Sequence, residues 1–259
     1  MLLRRVIQHV RNQNWFAIFI DFLIVVLGVF IGIQVSNWNE HLNEKQRADN
    51  YRNRLFQEMT INQSTLTTRQ ESFAKQIEYG LYALESSEEP ITQDIAWKIV
   101  RAYFQASHVF TISVKRGTYD EIINSGDLAL LNNQELVNAL GDFYSFSGFS
   151  TIDIIPDYRE NIRRIIPYQL QRYFHLNCYK VSASDTHHLL DCPPPHEVSD
   201  LTELVTNLQA NSDIKLDLQY MLSNAGVSID IAKVLNKKID TMLMMISNDT
   251  PSYRKKRCF

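Results

Sequence analysis

Apolar and polar positions along this chain follow two different patterns. From Trp15 to Val35 the sequence WFAIFIDFLIVVLGVFIGIQV is apolar almost throughout, with Asp21 its one charged residue. Beyond Val35, apolar residues recur singly, three, four or seven positions apart, among polar neighbours. The first pattern predicts a membrane helix. At about 1.5 Å per residue, a helix of that length reaches roughly 30 Å, the depth of a bilayer's hydrocarbon core. The segment holds 15 Leu, Ile, Val or Phe residues. Together they favour insertion by about 4 to 9 kcal/mol, against about 3 kcal/mol for one acid. The run is too long for a cleaved leader, and no A-x-A-like site follows it. An uncleaved single-pass anchor is therefore expected, with 1–14 cytoplasmic, 15–35 in the bilayer and 36–259 extracytoplasmic.

The second pattern is helical. Leu55, Met59, Asn62, Leu66, Phe73, Ile77, Leu81 and Leu84 form a stripe, with few helix breakers between Asn37 and Glu85. One long helix over 37–86, continuous with the span, is predicted, then a turn over Ser86 to Pro90. Further helices are expected over 94–107, from Thr118 to a C-cap at Gly126, from Asn132 to Tyr144, over 153–174 with a kink at Pro167, from Asp200 to Leu208, and over 213–247. Thr118-x-x-Glu121 and Asp200-x-x-Glu203 read as N-terminal caps. Phe110 to Arg116 reads as an extended connection. The architecture is all-α: one N-terminal transmembrane helix continues into a long helix that packs in an extracytoplasmic bundle.

Charge sets orientation. Residues 1–14 carry Arg4, Arg5 and Arg11 without an acid, whereas Glu40 and Glu44 mix with Lys45 and Arg47 beyond the span. The positive-inside rule then leaves the N-terminus in the cytoplasm of a bacterial inner membrane and the large domain in the periplasm. Leu2, Leu3, Val6, Ile7 and Val10 alternate with basic residues as in an interfacial amphipathic helix. The net charge of −3, from 26 basic and 29 acidic residues, argues against nucleic acid.

Candidate chemistry is sparse. Asp21, Val25, Gly28 and Gly32 are spaced four, three and four apart, so they share one helix face. Gly28-x-x-x-Gly32 admits a close second helix, and Asp21 would then face a partner. A proton path through Asp21 would need a second ionisable group that one span does not supply. Cys178 and Cys192 bound an irregular stretch and could close a loop of about 15 residues in an oxidising compartment. The same region offers His175, Cys178, His187, His188, Cys192 and His196 as zinc ligands, at a spacing that fits no closed structural motif. Cys258 is an odd thiol in a basic tail, free or paired between chains. Ser125 with Asp120, Glu121 and His108 lacks a fixed base and an oxyanion hole, so a helix-end turn is the simpler reading. Tyr119 and Asp120 are expected to tie helices together instead.

Two segments carry a family resemblance. Asp21 to Glu40, DFLIVVLGVFIGIQVSNWNE, resembles the opening of the DUF6090 family of bacterial membrane proteins, whose segment ends Q-hydrophobic-N-N-W-N-E. Gln34, Asn37, Trp38, Asn39 and Glu40 match that ending, and Ser36 departs from it. Thr118 to Tyr144, TYDEIINSGDLALLNNQELVNALGDFY, is similar to a second family block, through Thr118, Tyr119, Ser125, Gly126, Leu128 and Leu130. Asn124 and Phe143 depart from that block, and the cysteine region lies outside both. The resemblance implies a single-span membrane protein and no particular activity. Three functions stay open: a non-enzymatic scaffold in contact with lipid and needing no cofactor, either self-associating or part of a complex with a membrane-protein partner; an extracytoplasmic ligand-sensing bundle; and a metal protein or enzyme built on His175 to His196.

Overall fold

In the computed structural model, residues 15–86, 91–146, 156–181, 187–196 and 200–249 are described. The basic segment 1–14, the turn over 87–90, the expected helix start at 153–155 and Cys258 lie outside them. Helix α1, Trp15–Glu85, is one uninterrupted helix of 71 residues. Its N-terminal apolar portion reaches a mean hydropathy of 2.6 with none of it buried, and among the described residues it is the one helix long and apolar enough to cross a membrane. The chain is all-α, with a single two-stranded hairpin among the described residues.

The first buried apolar residues along α1 are Ala48, Tyr51, Leu55 and Met59. The buried stripe continues through Asn62, Leu66, Arg69, Phe73 and Gln76, in steps of three and four. It meets α8, Ser212–Asp249, whose Ile214, Leu218, Met221, Ala225, Ala232, Leu235, Ile239, Met242 and Ile246 keep the same period. The two helices run antiparallel. Gln63 donates to Asp240 at 2.6 Å, Asn236 donates to Thr67 at 3.2 Å, and Gly80 lies against Leu222, where any larger residue would press on the leucine. Apolar residues every 3.5 positions are what a two-helix seam requires.

Against α1 pack α2, Gln93–Ala106, α3, Gly117–Ser125, and a 3-10 turn, Asp127–Leu131, while α4, Gln134–Tyr144, packs against that turn and α8. Helix α2 is the centre, with Trp97, Ile99, Tyr103 and Phe104 buried around its circumference. Two amides of α1 pin the connection after it. Asn62 donates to the Lys115 carbonyl at 2.8 Å and accepts from the Lys115 amide at 2.7 Å. Gln76 donates to the Ala106 and His108 carbonyls at 2.8 and 2.7 Å. Both side chains are buried, and these bonds satisfy backbone that has no strand partner.

The caps differ from the sequence expectation in three places. Helix α3 starts at Gly117, one residue before Thr118, and no side chain of its own caps it. Glu58 of α1 accepts from the Thr118 amide at 2.7 Å, while Glu121 is taken by Arg54, so the expected capping box does not form. A buried carboxylate from another helix competes better for that amide than a neighbour tied up at the surface. Helix α4 is capped by Asn133, whose side chain accepts from Leu136 at 3.0 Å, because Asn132 is spent in the left-handed region at φ 49°. Asp200 accepts from the Thr202 amide at 2.9 Å two residues ahead of α7, Thr202–Ala210, whose N-cap position is Leu201. Gly126 terminates α3 at φ 71°, as its sequence position predicts.

Pro167 divides the expected 153–174 helix into α5, Asp157–Ile165, and α6, Tyr168–Asn177. Proline has no N–H for the carbonyl four residues back, that of Arg163. Gln171 supplies the missing donor, reaching the carbonyls of Arg163 and Ile166 at 2.7 Å each. The stretch after Cys178, read from sequence as irregular, forms the hairpin: β1, Tyr179–Val181, pairs antiparallel with β2, His187–Leu189.

Candidate functional site

The structure places the sequence-predicted sites at separate ends of the molecule. Asp21, Val25, Gly28 and Gly32 lie on the apolar N-terminal part of α1. Val25 is exposed and Asp21 half-buried, and a Cβ built on either glycine meets nothing within 4 Å. This face is open along the chain's own fold.

Cys178 and Cys192 sit with Cα atoms 5.1 Å apart and sulfurs at bonding distance. Both are buried. Their carbonyls are held by α2: Gln105 donates to Cys178 at 2.7 Å, and Trp97 and Arg101 each donate to Cys192 at 3.0 Å. Trp97 stacks on Phe174, with centroids 5.0 Å apart, so the bridge ties the hairpin and α6 to the central helix. Asp191 anchors the other side. It accepts from Tyr79 at 2.8 Å and pairs with Arg101 at 3.1 Å, and the tyrosine hydroxyl above all, then Arg101 and Lys75, hold its carboxyl below the usual carboxylate range.

The histidines do not converge. His188 pairs across the hairpin with Lys180, His196 is exposed, and the side chain of His187 lies outside the described residues. His175 points its Nδ1 at the Gln171 carbonyl, 2.7 Å away, and its Nε2 at Arg163, 3.4 Å away. Its pKa falls, first through burial and then through the charges of Arg163 and Arg159. Among the described residues, no three His, Cys, Asp or Glu side chains gather closely enough to hold a metal ion.

Arg159 and Arg163 form a basic pair that sequence inspection missed. Arg159 donates to the Ser107 carbonyl at 3.0 Å, and Arg163 donates to the Ser107 hydroxyl at 3.2 Å. The Arg163 guanidinium lies 3.7 Å from the Phe104 ring centre. Burial, and then repulsion by Arg159, lowers the Arg163 pKa to about 9. Helix α2 has no basic residue in its last turn. The two arginines from α5 supply the positive charge that its C-terminus favours. They stabilise a helix end, and that explains a half-buried cationic pair without any ligand.

Ser125 and His108 belong to different clusters. Ser125 is exposed at the end of α3, beside the Tyr51–Asp127 hydrogen bond, while His108 stacks on Tyr179 with ring centres 4.7 Å apart. The ring of Tyr119 stacks on Tyr144 at 4.4 Å, joining α3 to α4. Asp120 bonds to Arg116 within its own turn, so it does not join helices as the sequence suggested.

A cleft of about 320 Å³ opens between α1, the connection after α2 and the first half of α8. Its floor is the buried Phe73, Gln76, His108, Phe110, Met221 and Ala225. Tyr220, Val227, Asn224 and Ser228 form the rim, and the first two are more than half exposed. Sequence gave one sign of it: the apolar residues Tyr220 and Val227 fall outside the stripe of α8 that faces α1.

No family model matches this chain, and no curated protein or solved structure matches it.

Proposed function

We propose that this protein is a membrane-anchored, non-enzymatic scaffold that self-associates through the Asp21, Val25, Gly28 and Gly32 face of α1. The observation that carries the reading is the continuity of α1 from Trp15 to Glu85. Among the described residues, no position of α1 before Ala48 is buried, which leaves an exposed stalk of about 18 Å over 36–47, with Arg47 at its top paired to Asp127. At about 100° per residue, the glycine face lies roughly 150° around the helix from the Ala48, Tyr51 and Leu55 face that carries the bundle. Two copies joined through the glycines therefore keep their bundles on the outside, without collision.

The same face continues upward as Asn39, Asn43, Gln46, Asn50, Asn53 and Gln57, exposed or half-buried and uncharged. Two such rows meet without like-charge repulsion, and buried amides of this kind fix register between helices. In this reading the N-terminus is cytoplasmic and the bundle lies in an oxidising space, consistent with a buried Cys178–Cys192 bridge. Membership of the DUF6090 family belongs to the same proposal.

Crosslinking in native membranes tests it. Gly28→Leu and Gly32→Leu are expected to remove the crosslinked dimer while leaving the fold intact, because neither glycine has a neighbour within 4 Å. A dimer indifferent to both substitutions, or a wild-type chain that stays monomeric, refutes association through this face.

A ligand-sensing bundle is the second reading, favoured by the cleft at the membrane-distal end. A largely apolar cavity with a few polar groups is the usual form of a small-molecule site.

A further inference from the structure

The geometry points to the cleft between α1 and α8 as a binding site for an uncharged, mostly apolar small molecule that carries a hydrogen-bonding group. Three observations support this. The cavity, about 320 Å³, lies at the small end of the range that ligand pockets occupy. Its floor buries three large apolar surfaces, Phe73, Phe110 and Met221, on different segments. Among the described residues that line it, none is Asp, Glu, Lys or Arg.

The last point selects the ligand class. An ion entering this cleft would lose hydration and find no countercharge among the described lining residues, which is costly. An apolar body against the phenylalanines and methionine gains the hydrophobic term instead. Polar groups sit at two levels. His108 is on the floor, its ring held between Tyr179 and Phe110. Asn224 and Ser228 are one turn apart on the rim, and the Ser228 hydroxyl donates back to the Asn224 carbonyl at 2.8 Å. A ligand lying along α8 would place one end at the imidazole and the other at the Asn224 amide.

The cleft stands far from the membrane. Gln76 lies about 60 Å along α1 beyond Val35, so lipid tails are not its occupants. Tyr220 and Val227 are exposed on either side of the opening, which gives an aqueous route in.

Photolabelling of the full chain in lipid nanodiscs tests the site, with benzophenone as the uncharged probe. One tryptic peptide, Leu216 to Lys233, carries both the floor and the rim residues of α8, and another, Asn12 to Lys45, reports probe dissolved in lipid. The expected result is saturable labelling within Leu216 to Lys233, suppressed by excess benzhydrol. It should be about tenfold weaker with 4-benzoylbenzoate, the same chromophore bearing a carboxylate. Ser228→Trp, which fills the mouth from a half-buried position, and Ala225→Leu, which fills the floor, should each reduce labelling by about tenfold. Circular dichroism confirms that each variant keeps its helices, and the benzhydrol competition needs no variant at all. Labelling confined to Asn12 to Lys45, labelling that does not saturate, or equal labelling by the carboxylate overturns the proposal.

Discussion

Glu58 is where removal of one side chain should cost the bundle most for the number of atoms lost. It is buried on α1, accepts from the Thr118 amide at 2.7 Å, and accepts from the Tyr144 hydroxyl at 2.6 Å. Helix α3 has no side-chain cap of its own, so this carboxylate is its cap and adds negative charge to that of Asp120 at its N-terminus. In Glu58→Ala the Thr118 amide loses its acceptor in a buried site, worth about 1 to 3 kcal/mol. Loss of the charge at the helix start adds about 0.3 to 1 kcal/mol. The Tyr144 hydroxyl is partly compensated, because it also reaches the Lys115 carbonyl at 3.2 Å. The total is about 1 to 4 kcal/mol. Glu58→Gln keeps an acceptor oxygen and forfeits the charge, so about 1 kcal/mol is expected. Denaturant unfolding in detergent, followed by circular dichroism, measures both, and hydrogen exchange over Gly117–Ser125 should accelerate in proportion. An Ala variant within about 0.5 kcal/mol of wild type would show that the carboxylate does not hold α3.

Further outcomes follow from other sites. Removing both Cys178 and Cys192 by serine substitution should cost about 3 kcal/mol, read as a lower unfolding midpoint, with protease cleavage concentrated between Tyr179 and Asp191. Because Asp191 has a lowered pKa in the folded chain, its contribution is present at neutral pH and is lost as pH falls through that lowered value. Asp191→Asn should therefore destabilise at pH 7 by about 1 kcal/mol, with the gap closing below about pH 4. Gly126→Ala should cost about 1 kcal/mol in thermal or denaturant unfolding, since φ of 71° strains any residue with a Cβ.

Helices that bury one face were legible in the sequence because burial fixes their period. The α1 stripe, the last helix and the stop at Gly126 are cases of this, and each depends on residues near one another in sequence. What could not be read depends on partners far along the chain. Thr118 and Glu121 form a capping pattern, yet Glu58, 60 residues away, takes the amide. Asn62 fits an apolar stripe by position, but it is there to bond the Lys115 backbone. The hairpin after Cys178 is held by Gln105, whose amide reaches the carbonyls of Cys178 and Leu190. The glycine face of the span was visible at once, since it needs only helical spacing. The cleft was not, because its floor is assembled from α1, the connection at 108–110 and α8.

The unbroken rod from the apolar N-terminal stretch to the bundle has a mechanical corollary. Each residue inserted into 36–47 lifts the head by about 1.5 Å and swings it by about 100° about the rod. An insertion of seven residues restores the original azimuth to within about 20° while raising the head by about 10 Å. An insertion of four turns it aside by about 40°. Partners that read orientation would tolerate seven added residues better than four, whereas those that read altitude would prefer the shorter insert.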